Sequence, residues 1–295
     1  MSKTPFFAIV LFLLAVGQTS AQEPLRVMVS ILPQAYFVEK IGGDLVEPSV
    51  MVQPGASPAT YEPKPRQMAK LSKSSLYLAI GVPFERTWLP RFASANPDMR
   101  IVQTDRAVDK IPMDHGRHIL DVRHKAADAQ SRTESLDPHI WLSPKRVSQL
   151  ARSAAAAMQA VDPANADHYA AGLKAFQQEI QELHDQLQAF FQGHHGQAFL
   201  VNHPSWGYLA NDYGLRQVPL EYQGKPPSPS RMKKIIQWGR QHEIESILVQ
   251  PQFSGEQARV VAEAIGARLA KADPLARDWA SNLQRVAEAI ASDLE

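Results

Sequence analysis

"DPANADHYAAGLKAFQQEIQELHDQLQAFFQ" (162–192) is the stretch that decides the architecture. Asp162 followed by Pro163 reads as an N-cap with proline in the first helical turn, and the helix they open runs to about Gln192. Near 30 residues at the standard rise span roughly 45 Å. A helix of that length separates what lies on either side of it. Immediately before it, "SPKRVSQLARSAAAAMQAV" (143–161) reads as a second helix.

Both flanks show the same alternation. Upstream, "LRVMVSI" (25–31), "PSVMVQ" (48–53), "LYLAIGV" (76–82) and "IVQTD" (101–105) are short apolar runs with amphipathic segments between them, the pattern of parallel βαβ units. Downstream, "AFLVNH" (198–203), "RQVPLEY" (216–222), "SILVQP" (246–251) and "ARLAKADP" (267–274) repeat it, with helices expected after Ser205, Ser230, Gly255 and Ala276. The fold class is therefore α/β: two lobes, each with a mostly parallel sheet flanked by helices, joined by one long rigid helix. The 295 residues suit two lobes of roughly 130 each. The expected division is 22–162, the linking helix 163–192, and 193–295. Within the first lobe, 113–135 is polar, bears histidines and has no apolar periodicity, which reads as a mobile loop.

The N-terminus stands apart from this pattern. Lys3, the apolar run "FFAIVLFLLAV" and the small residues Thr19 and Ala21 make 1–21 a secretory signal peptide, so the mature chain is expected to start at Gln22 in a bacterial periplasm. There is no cysteine, hence no disulfide, no thiolate metal site and no lipid-attachment thiol. Beyond Lys3, the 31 basic side chains fall to 30 against 30 acidic ones, and nothing in the charge calls for a nucleic-acid partner.

Ligands of open parallel sheets bind beyond the carboxyl ends of the strands. Four polar places sit there: the loop after Val52, His139 in "DPHIW", His203 ending "FLVNH" and Asp273 ending "LAKAD". Two imidazoles and a carboxylate from separate segments suit a zinc-like ion. The other histidines, His168, His184, His194, His195 and His242, read as surface residues. No HExxH helix, serine nucleophile elbow or glycine-rich phosphate loop points to a reaction.

The order "PGASPxxYEP", "DPHIWLSP", "HPSWGYLANDYGL", "PSPS", "QPQFS", "ADPL" resembles the cluster A-I solute-binding proteins, the periplasmic receptors of zinc and manganese ABC importers. The resemblance spans nearly the whole mature chain. It implies two α/β lobes joined by a rigid helix, with a metal in the cleft held by His139, His203 and Asp273 as second, third and fourth ligands. The first ligand of that family is a histidine where this chain has Ala59. The replacements considered are a histidine of the polar loop (His115, His118 or His124), Glu62, or water. Imidazole donors favour Zn2+, and the family's manganese branch usually has a carboxylate where this chain has His203; with one nitrogen lost, Mn2+ or Fe2+ stays in view. The expected function is capture of a divalent metal ion by a monomer and delivery to the membrane permease of an ABC importer. The alternatives are a degenerate, low-affinity metal chaperone or accessory protein, and a zinc hydrolase using Glu62 as base.

Overall fold

The computed structural model describes residues 23–114, 136–222 and 224–292. Residues 1–21, expected to be a signal peptide, and the histidines His115, His118 and His124 lie outside the described residues.

The first sheet contains β1 (Leu25–Val29), β2 (Val46–Val50), β3 (Leu76–Ala79) and β4 (Arg100–Gln103), all parallel, in the order β2-β1-β3-β4. The second contains β5 (Ala198–Val201), β6 (Arg216–Pro219), β7 (Ser246–Val249) and β8 (Arg268–Lys271), in the order β6-β5-β7-β8. The two orders are the same when counted from the first strand of each lobe, so the duplication visible as alternation is a duplication of topology. In both, the direction of strand succession reverses between the two central strands, which opens a crevice beyond their carboxyl ends.

The strands stop two or three residues short of most of the apolar runs. The backbone donors beyond their ends turn to side chains: Gln34 Oε1 accepts from Ser30 N and Ile31 N, the Glu85 carboxylate from Ile80 N and Gly81 N, and Gln250 Oε1 from His203 N. These loops surround the crevice.

The helices of the first lobe are α1 (Leu32–Gly42), α2 (Pro65–Leu71) and α3 (Glu85–Ala95). Then come α4 (Pro144–Val161), capped by Ser143 Oγ accepting from Arg146 N, and α5 (Ala166–Phe190). Helix α5 has 25 residues and is preceded by a 3-10 turn, Pro163–Asn165. Asp162 does not cap a backbone amide; its Oδ2 accepts from Asn165 Nδ2 and the Tyr169 hydroxyl instead. Helix α5 lies along α4 and α1. A Cβ at Gly172 would fall 2.1 Å from the Ile41 carbonyl, so only glycine allows α1 and α5 to approach this closely.

In the second lobe, α6 (Gly207–Tyr213), α7 (Pro229–Gln241), α8 (Glu256–Ile265) and α9 (Trp279–Ala291) complete the chain. Helix α7 begins ahead of Ser230 because Ser228 Oγ accepts from Arg231 N and Pro229 occupies the first turn. Helix α9 leaves its own sheet. It packs on α5, and Trp279 meets Phe37 edge to face at 5.3 Å and Phe176 at 6.3 Å. The larger apolar core accordingly runs from the first sheet through α4 and α5 into α9, while a smaller one of Leu200, Val218, Ile235, Ile247 and Val261 fills the far face of the second sheet.

Candidate metal centre

A cavity of about 140 Å³ opens where the carboxyl ends of both sheets face each other. Ser57, Pro58 and Ala59 from the loop after β2, Val82 and Pro83 after β3, and His139 and Trp141 ahead of α4 form one side. His203 and Ser205 after β5, Gln252 and Phe253 after β7, and Pro274 and Leu275 after β8 form the other. Most of this wall is apolar, which lowers the local dielectric and strengthens any bond to a charge placed there.

His139 and His203 face each other with ring centroids 5.5 Å apart. Each has its Nδ1 committed to a carboxylate: His139 to Asp137 Oδ1 at 2.7 Å, His203 to Glu221 Oε2 at 2.7 Å. A carboxylate only accepts, so each Nδ1 carries a proton, and the lone pair of the neutral ring is on Nε2. Carboxylates behind imidazoles in this way orient metal-ligating histidines and raise their basicity. Burial pulls His203 below its ordinary value, against the opposing bond to Glu221, and so favours the neutral ring that can bind a metal.

The supports are themselves held. Asp137 is fully buried; its Oδ1 also accepts the His139 amide, and its carbonyl accepts from the Tyr208 hydroxyl of α6. Its Oδ2 has no hydrogen-bond partner among the described residues. A Cβ on Gly207 would come within 2.8 Å of that oxygen. On the opposite wall Phe253 stacks on the His203 ring at 4.1 Å and 19°. Gln250 brackets the His203 backbone, accepting from its N and donating to its O.

The residues expected from sequence are distributed unevenly. Ala59, His139 and His203 share the cavity wall, so the loop carrying Ala59 is at the site. Glu62 is exposed and does not line the cavity. Asp273 is half-buried next to the wall, where its Oδ1 accepts from Gln252 Nε2 at 2.7 Å and from Leu275 N at 2.9 Å. Among the described residues, no three His, Cys, Asp or Glu side chains stand together at metal-holding spacing. Of the histidines read as surface residues, His184 is half-buried and bonds the Tyr213 hydroxyl, and His168 bonds the Gly42 carbonyl. Sequence reasoning missed Asp137, Glu221, Gln252 and Phe253. The available signals were the acid two residues before His139, the acid next to the end of the run at 216–222, and the "QPQF" that follows β7.

The "Zinc-uptake complex component A periplasmic" family model matches residues 27–293. The high-affinity zinc uptake system protein ZnuA of Bacillus subtilis (strain 168) is 24% identical over 256 residues, covering 84% of this chain and 78% of that protein. A putative metal-binding protein of Chlamydia muridarum is 28% identical over 269 residues, covering 90% of each. A crystal structure of ZnuA is 38% identical and superposes with a TM-score of 0.84, covering 92% of this chain and 100% of that one. A zinc-bound deletion mutant of ZnuA, also 38% identical, gives 0.82 over 92% of this chain and 99% of that one. With the family model running from the first strand past the last helix, over both sheets, this chain belongs to the periplasmic component A family of zinc-uptake complexes.

Proposed function

We propose that this protein is an exported receptor that captures a divalent metal ion, Zn2+ ahead of Mn2+ or Fe2+, and passes it to the membrane permease of an ABC importer. The observation that supports this most directly is the pair of imidazoles, His139 and His203, on one cavity wall with both Nδ1 atoms tied to carboxylates. Two oriented nitrogen donors in an apolar pocket suit zinc better than the harder ions. Asp273 completes the inherited set, either directly or through Gln252. The lobes are read as 22–162 and 193–295 on either side of 163–192, with α9 packed back on the first. Because α9 and α5 tie the lobes together, closure on the ion is local to the cavity loops.

The low-affinity chaperone or accessory reading is favoured by one specific observation: a methyl group at Ala59, where the family loop presents an imidazole. A hydrolase is disfavoured because Glu62, the base it was expected to use, is exposed and outside the cavity wall. Native mass spectrometry of the metal-free mature chain with Zn2+ and Mn2+ under chelator competition separates the readings. Tight one-to-one zinc that is lost in His139→Ala and His203→Ala supports the receptor. Zinc that a weak chelator removes supports the accessory protein.

A further inference from the structure

Resting on the capture reading, we infer that Gln252 is a metal ligand, supplying its carboxamide oxygen Oε1, and that Asp273 acts behind it rather than on the ion. Gln252 lines the cavity together with both imidazoles; Asp273 does not. The orientation of the amide is set by chemistry. Asp273 Oδ1 already accepts the Leu275 backbone N–H, so it is an acceptor, and the group turned toward it must be the NH2 of Gln252, at 2.7 Å. The amide oxygen therefore points the other way. It is buried and has no hydrogen-bond partner among the described residues. A buried acceptor without a donor is costly, and a cation beside it removes that cost.

The loop holds Gln252 ready for this role. Gln250 bonds both backbone groups of His203, and Phe253 stacks on the His203 ring, so Gln252 and His203 are placed as one unit. Ser205, also on the cavity wall, has a second buried oxygen, Oγ, without a partner among the described residues. Asp273, bonded to Nε2, polarises the amide and makes Oε1 a stronger donor, as carboxylates do behind ligating imidazoles.

The test uses the metal-free mature chain, with Zn2+ affinity from chelator competition and coordination read from the visible bands of the Co2+-loaded protein. Gln252→Leu is expected to weaken zinc binding by about tenfold or more and to change the Co2+ bands, while Asp273→Asn costs less than Gln252→Leu. Gln252→Glu combined with Asp273→Asn, which keeps an oxygen at the same reach and lets an amide donate behind it, is expected to hold zinc more tightly than Gln252→Leu. Wild-type affinity and spectrum in Gln252→Leu, a larger loss in Asp273→Asn than in Gln252→Leu, or equal losses in Gln252→Leu and the double variant would overturn the assignment. In those cases zinc binding by the wild type still leaves the capture reading standing. A wild type that binds no zinc removes both.

Discussion

The indole N–H of Trp279 donates to the backbone carbonyl of Trp141 at 2.6 Å, and the Trp141 indole in turn donates to the carbonyl of Pro274 at 2.7 Å. Three segments are joined by two bonds: the loop with His139, the loop with Asp273, and helix α9. Trp279→Phe keeps the aromatic packing but leaves the Trp141 carbonyl buried without its donor. The expected loss of stability is about 1–3 kcal/mol, read as a lower urea midpoint at unchanged slope. An unchanged midpoint would show that the joint contributes nothing beyond packing.

Ala59 lines the same cavity as His139 and His203. Ala59→His is expected to tighten zinc binding by about tenfold or more in chelator competition, because a third imidazole joins two already oriented. If the affinity does not change, another donor already fills the position.

Asp137 and Glu221 fix which nitrogen of each histidine is free. Glu221→Gln lets the side-chain amide donate to His203 Nδ1, which moves the ring proton to Nε2 and blocks the ligating lone pair. A loss of roughly 10- to 100-fold in zinc affinity is expected, with thermal unfolding of the metal-free protein little altered. Asp137→Ala, which removes the oxygen that accepts from both the His139 amide and its Nδ1, should weaken zinc binding as well, with a further loss of stability because Asp137 is fully buried.

Glu85 is buried under the loop that carries Val82 and Pro83, where it accepts from Ser30 Oγ, Ile80 N and Gly81 N. Burial outweighs these bonds and raises its carboxyl to about 7 from an ordinary 4.5. A raised acid holds its proton longer in the folded state, so its contribution is fully present below about pH 4.5 and is lost as pH rises to about 7. The total is roughly 3 kcal/mol at about 1.4 kcal/mol per unit. Urea midpoints taken from pH 4.5 to 7 in the wild type should carry this decline, and in Glu85→Gln it should be absent. Parallel curves for the two proteins would show that Glu85 is ionised throughout.

The two lobes, the eight strand positions, the long helix and the two cavity histidines were legible in the sequence. Each follows from short-range patterning: apolar runs of strand length, Ser-Pro and Asp-Pro helix starts, and polar residues at strand ends. The boundaries were less so, because Ser30, Ile31, Ile80 and Gly81 leave their sheet for side-chain acceptors set by helices further along the chain.

By itself, then, the sequence determined the kind of fold and put His139, His203 and the Ala59 loop at the mouths of its sheets. The tertiary structure alone decided that Asp273 bonds Gln252, that Asp137 and Glu221 stand behind the imidazoles, and that the last helix packs against the first lobe. Periodicity reports which face of an element is apolar. It carries nothing about which distant side chain will meet that face, and a hydrogen bond such as that between Gln252 and Asp273 depends on where two loops finish after every core residue has packed.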